Sequence, residues 1–255
     1  MSATETSSAR GTVRAERGAK RVRAYLGGEL VADTMRPLLV WEAPYYPTYY
    51  FPAEDVREEL FEPEGTREHS PSRGDGELLT LRAGGREAPG AAVRYEDSPL
   101  ELLRGTIKLR WDAIDAWFEE DEEVFTHARD PYTRVDILAS SRHVRVELAG
   151  VTVAESLSPR LLFETGVPVR YYLPKTHVRM DLLRRDELVT HCPYKGSAES
   201  YSVLTEGSVH ENVAWSYATP LPESMKIAGL VAFYNEKVDL FVGGVLQERP
   251  HTKFG

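Results

Sequence analysis

Two stretches decide the fold: Val22-Arg-Ala-Tyr-Leu-Gly-Gly-Glu-Leu-Val-Ala-Asp-Thr34 and Val144-Arg-Val-Glu-Leu-Ala-Gly-Val-Thr-Val-Ala-Glu-Ser156. The second alternates apolar and polar side chains, breaks at Ala149-Gly150, and returns as Val151-Thr-Val-Ala154. A period of two sends successive side chains to opposite faces of a sheet, and a short glycine turn reverses the chain, so the stretch reads as a β-hairpin. The first stretch is its copy, 122 residues upstream.

The same offset holds outward from the hairpin. Pro37, Leu39 and Glu42 meet Pro159, Leu161 and Glu164, and Tyr49-Tyr50-x-Pro52 meets Tyr171-Tyr172-x-Pro174. Between 21 and 60 there are 15 identities in 40 positions without a gap. Further on, His69-Ser-Pro-Ser-Arg-Gly74 falls on His191-Cys-Pro-Tyr-Lys-Gly196, Tyr95 on Tyr217 and Trp111 on Phe233. Shared hydrophobic patterning does not fix Gly, Pro, Glu and Tyr at matching places, so the chain is two tandem copies of one domain.

Within the second copy, strands are expected at 161–164, 169–173, 200–204, 213–217, 230–234 and 238–242. Turns fall at Thr165-Gly166, Glu206-Gly-Ser208 and Asn235-Glu-Lys237. His177 to Arg185 has the spacing of a short helix with Thr176 as its N-cap, and Pro220 to Lys226 a second. Many short strands with brief helices make the fold mainly β, a folded-over sheet or a barrel-like one. The expected organisation is a disordered tail over 1–17, a first repeat over 18–116, a linker or strap over 117–142, and a second repeat over 143–250.

Composition limits the function classes. Of 255 residues, 42% are apolar and 28% charged, which is ordinary for a soluble globular protein, and the net charge is −9. An acidic chain is a poor partner for a phosphate backbone, so no nucleic-acid role is expected. No stretch approaches the run of about 18 apolar residues that spans a membrane. The single cysteine, Cys192, excludes an internal disulfide and a zinc site built from several thiolates. A cytoplasmic protein without a cofactor is the expectation, its oligomeric state open.

Val-Ala-Glu-Ser at 153–156, Arg170-Tyr-Tyr-x-Pro174, Thr-x-Cys-Pro-Tyr-Lys-Gly at 190–196, Trp215-Ser-Tyr217 and Ala232-Phe-Tyr234 together resemble the bacterial domain-of-unknown-function family 427. The resemblance spans 143–242 and extends weakly to the first repeat. It implies the β-tent fold of methionine sulfoxide reductase B, Yippee proteins and the ligand-binding domain of cereblon, so that two tandem β-tent-like domains are expected. Many of those relatives hold zinc through paired Cys-x-x-Cys motifs, which this chain lacks. The family sometimes carries a nucleotidyltransferase-like label. The Gly-Ser followed by Asp-x-Asp that would hold two catalytic metals is missing, as are a phosphate loop, a Gly-x-Gly-x-x-Gly turn, His-Glu-x-x-His and Gly-x-Ser-x-Gly.

The candidate residues gather in the second copy. Trp215 and Tyr217, two apart on a strand, share a face and with Tyr172 and Tyr194 would wall a pocket for a planar or cationic guest. Lys195, beside the conformationally free Gly196, would fix a polar or anionic group. The preferred reading is a small-molecule-binding protein. Its rival is an enzyme, hydrolase or transferase in type, with Cys192 as nucleophile, Lys195 as clamp and His177 or His191 as base. A third reading is a protein-interaction module. Each residue also has a structural reading: buried thiol, turn lysine, packed aromatics, helix cap, and Glu164 paired with a basic group such as Arg170. At the common offset Cys192, Tyr194, Lys195 and Trp215 become Ser70, Ser72, Arg73 and Val93. The first copy is therefore expected to be a degenerate partner.

Overall fold

The computed structural model describes residues 4–8 and 11–252. The chain forms two compact units, Met1–Asp130 and Pro131–Gly255. Each is built from antiparallel strands, with only 3-10 turns between them among the described residues.

In the second unit a seven-stranded sheet runs in the order Val135–Ala139, Arg160–Glu164, Val167–Leu173, Val231–Phe233, Ser208–Ser216, Gly196–Thr205 and Leu183–Cys192. A four-stranded sheet takes Val151–Ser156, Val144–Leu148, Asp239–Val242 and Val245–Leu246. The first unit repeats the plan with an eight-stranded sheet, Thr4–Ser8 being the added strand, and a four-stranded sheet around the Val22–Leu26/Glu29–Thr34 hairpin. The sheets are open, not closed into barrels.

Alternation along the strands creates two apolar layers per unit. Val144, Val146 and Leu240 of the smaller sheet pack with Leu173, Val203, Val231 and Phe233 of the larger to form the core. The intervening side chains Tyr172, Trp215 and Ala232 point to the other face of the large sheet, where Leu162, Tyr217 and Ile227 join them. That face is covered by the chain after Tyr217, including the 3-10 turn Pro222–Ile227. Leu221 N donates to Lys195 O at 3.1 Å and Ser224 Oγ to Tyr194 O at 3.1 Å, pinning this cover to the Pro193–Lys195 turn.

The duplication reaches the irregularities. Register shifts fall at Ala24/Tyr25, Val40/Ala43, Pro63/Arg67 and Leu79/Leu81 in the first unit. They recur at Val146/Glu147, Leu162/Glu164, Arg185/Val189 and Tyr201/Val203 in the second. Each bulge bends its strand and steepens the local twist, so both large sheets curl at the same places.

Three expectations are corrected. Gly11–Arg17, placed in a disordered tail, is a strand that pairs Arg14 with Trp41. Val135–Ala139 is its copy, pairing Asp136 with Phe163. Residues 117–142 are therefore no strap: Ala116–Glu119 lies beside Val22–Leu26 in the first unit, and Val135–Ala139 edges the sheet of the second. Polar Arg14, Glu16 and Arg17 among its few apolar residues hid the first of these in the sequence. The expected helix at 177–185 is two 3-10 turns, Lys175–His177 and Met180–Leu182, with no side-chain cap from Thr176. Val178 between them bridges Ala154, as Val56 bridges Ala32, and one extended residue is enough to stop a helix. Finally, the constant offset ends at Tyr95/Tyr217. Lys108 pairs with Tyr50, and Ala232 with Tyr172, so the cover is two residues longer in the second unit and Leu109, not Trp111, matches Phe233.

Two hairpin turns in the first unit meet at glycines. Gly27 has φ +60°, and a Cβ there would lie 2.6 Å from Gly84 O; Gly84 has φ +55°, and a Cβ there would lie 2.2 Å from Gly27 O. The second unit has Ala149 and Glu206 at these places, with Ala149 itself at φ 50°. Gly84→Ala is expected to cost clearly more than the ~1–2 kcal/mol of left-handed backbone alone, because a backbone atom cannot move aside. Gly28→Ala, with open space around it, is expected to cost no more than that. Urea unfolding of the two variants compares them directly.

Candidate functional site

The outer face of the large sheet brings most of the singled-out residues together. Glu164 ends its strand near one edge of the sheet, and Lys195 stands in the turn joining the two strands at the far edge. Four strand spacings in a flat sheet would be about 19 Å, yet Lys195 Nζ lies 2.5 Å from Glu164 Oε2. The bulged sheet curls far enough that the ion pair closes across its concave side. Lys195 is only 8% exposed, so the pair is held largely away from water, where each charge depends on the other.

Beneath the pair lie the tyrosines. Trp215 Nε1 donates to Tyr172 Oη at 3.0 Å, with the rings edge to face at 6.0 Å. Trp215 also packs on Tyr234, centroids 4.4 Å apart. Both Tyr172 and Trp215 are buried and back the site as a packed layer. Tyr217 is different: it too is buried, but its hydroxyl has no hydrogen-bond partner among the described residues. Burial pushes the Tyr217 and Tyr172 phenols well above their ordinary range, and the neighbouring Cys192 and Glu164 side chains act in the same direction. Cys192, half-buried, therefore belongs to the same neighbourhood. Tyr194, half-buried in the turn, gives its carbonyl to Ser224.

The histidines do not join this group. His177 Nδ1 lies 2.8 Å from Ser156 Oγ, tying the 3-10 turn to the hairpin, and Asp55 meets Thr34 Oγ1 at 2.6 Å in the same place of the first unit. A residue whose role survives exchange of His for Asp is holding a turn. Exposed His191 bonds Ser197 at 2.8 Å, as His69 bonds Asp75 at 2.5 Å. Nor does Glu164 pair with Arg170. Among the described residues no group of three or more His, Cys, Asp or Glu stands ready to hold a metal.

Sequence reasoning missed Glu236. It takes both arms of Arg170, at 2.7 and 2.8 Å, with side-chain exposures of 6% for Arg170 and 2% for Glu236. Arg170 in turn lies over the Trp215 and Tyr234 rings, 5.7 and 5.9 Å from their centroids. The cation thus clamps the aromatic layer from one side. Only its place beside Asn235 and Lys237 in a tight turn showed in the sequence.

The first unit keeps the same set. Arg73 pairs with Glu42, and Tyr50 Oη donates to Glu42 Oε1 at 2.7 Å; Tyr95 stands in the place of Tyr217. The face is therefore not degenerate in its charges and phenols. What changes is the filling, with Val93 for Trp215 and Lys108 for Ala232.

Burial alone would raise the Glu236 carboxyl, but the bonds from Arg170 and Thr252 outweigh it and hold the pKa at about 2, against an ordinary 4.5. A lowered folded pKa contributes stability above the ordinary value and loses it as pH falls. The second unit is expected to lose stability as pH drops from about 4.5 toward 2. Glu236→Leu takes the bidentate carboxylate away from a buried guanidinium and is expected to cost ~3–5 kcal/mol. Denaturant titrations across that pH window check both, the variant showing a flatter acid limb.

No individual curated protein matches the chain. The family match is extensive: a domain of unknown function, DUF427, covers residues 14–120 and again 136–244. The two matched segments take in the duplicated strands, starting within Gly11–Arg17 and within Val135–Ala139. The chain belongs to the DUF427 family and carries that domain twice.

Proposed function

We propose that the second unit binds a small polar molecule on the concave face of its large sheet, beside the Glu164–Lys195 pair. The observation that carries this reading is Tyr217, a largely buried residue whose hydroxyl makes no hydrogen bond within the described residues and lies next to that pair and to Cys192. A phenol whose ring is packed and whose hydroxyl is uncommitted can donate to or accept from a guest without breaking a hydrogen bond of the fold. Lys195, Glu164 and Tyr217 supply the polar contacts, Cys192 and Tyr194 flank them, and Tyr172 and Trp215 form the apolar floor. Binding, not catalysis, is favoured because His177 and His191 are engaged elsewhere and no base stands assigned to Cys192.

Cys192 is the only cysteine, which makes it a reporter. In a panel of amino acids, nucleosides, short carboxylates and aromatic amines, at least one compound is expected to slow iodoacetamide labelling of Cys192 and raise the unfolding temperature. Tyr217→Phe and Lys195→Met should remove both effects. Protection that persists in both variants, or a panel without any effect, would reject the reading. Rapid labelling at neutral pH, faster than a free thiol, would instead support the nucleophile. Trp215→Ala is a packing variant, expected to lose ~3–5 kcal/mol whatever the ligand.

A further inference from the structure

The two units fill the same concave face with opposite chemistry. In the second, Trp215 and Ala232 are directly paired neighbours on adjacent strands. In the first, the neighbours at these places are Val93 and Lys108. A large indole beside a methyl group has become a short valine beside a long cation. Lys108 Nζ crosses this space to reach Glu42 Oε2 at 2.9 Å, and Arg73 meets the same oxygen. The other oxygen, Oε1, is taken by Tyr50. Two cations thus share one carboxylate, and a positive charge is left over. The next carboxylate, Glu68, is itself neutralised by Arg110 at 2.6 Å.

Two polar atoms at this spot have no partner among the described residues, Arg73 Nε and Tyr95 Oη, both out of reach of solvent. Tyr95 is 0% exposed, and its ring lies 5.8 Å from that of Tyr50, whose own proton is committed to Glu42. Gly76 allows this placement, since a Cβ there would lie 3.1 Å from the Tyr95 ring and 2.3 Å from Val93. Two donors without acceptors beside an unbalanced cation are groups that a small anion would satisfy together. A single surplus charge calls for a monoanion, and a planar guanidinium edge with a phenol suits a carboxylate.

We propose that the first unit is a second binding site, one that takes a small organic monocarboxylate between Lys108, Arg73 and Tyr95. It differs from the site in the second unit in its cation count and in lacking the tryptophan floor, so either can stand without the other. Acetate is the probe, read by saturation-transfer difference NMR on the full chain. The wild type should give an acetate signal that propionate competes and inorganic phosphate does not. Lys108→Met and Tyr95→Phe should each cut it at least fivefold, while Lys175→Met, which removes an exposed charge elsewhere, should leave it. Tyr95→Phe keeps the ring packing, so it carries the test even where Lys108→Met unfolds. No acetate signal in the wild type, a signal equal in Tyr95→Phe, or full competition by phosphate would overturn the proposal.

Discussion

A carboxylate on the concave side of a curled sheet, held by a cation from the opposite edge, is the contact around which each half is arranged. Glu164 with Lys195, and Glu42 with Arg73, join segments that a flat sheet would keep far apart. A largely buried ion pair is a weak source of net stability but a strong source of specificity, because either charge alone is heavily penalised. The curl, the turn conformation and the covering segment must all agree before the two groups meet. Hydrogen bonds from Leu221 and Ser224 to the turn that carries Lys195 extend the agreement to the cover.

The second polar element of the face is the phenol layer. Tyr50 and Tyr172 are engaged in both units, by Glu42 and by Trp215 respectively. Tyr95 and Tyr217 are the members left over in each. Neither hydroxyl is taken up by a hydrogen bond among the described residues, though only that of Tyr95 is cut off from solvent, and the surroundings differ in charge and in bulk.

Much of this was legible in the sequence. The hairpin at 144–156 showed through its period of two, and the duplication through glycines, prolines and tyrosines that hydrophobic patterning does not require. Cys192, Lys195, Tyr172, Trp215 and Tyr217 were singled out and do share a face. Gly11–Arg17 and Val135–Ala139 were missed because each mixes polar with apolar residues outside the gap-free stretch of the repeat, and so reads as a polar tail or linker. The helix after Pro174 was over-read because Val178, Leu182 and Leu183 have helical spacing, whereas a single bridge to Ala154 decides the local backbone. Lys108 was missed for another reason. Its partner Glu42 is distant in sequence, and its counterpart in the second unit is an alanine, so no comparison of like residues could flag it. Which tyrosine would have its hydroxyl satisfied was likewise beyond any pattern, since it depends on whether Trp215 or Glu42 stands opposite.

The shared bulges carry a consequence for how such a molecule can change over time. With four matched slips of register per half, inserting or deleting one residue in a strand would turn every side chain beyond it to the wrong side. Drift in the scaffold is therefore confined to swaps of residue type, and growth to the places where no ladder is being counted. The one length difference at this face lies in the strip that roofs it, two residues longer in the second half. Paralogous halves under that rule keep identical walls while exchanging furniture and lids, a route by which one inherited frame can come to serve two tenants.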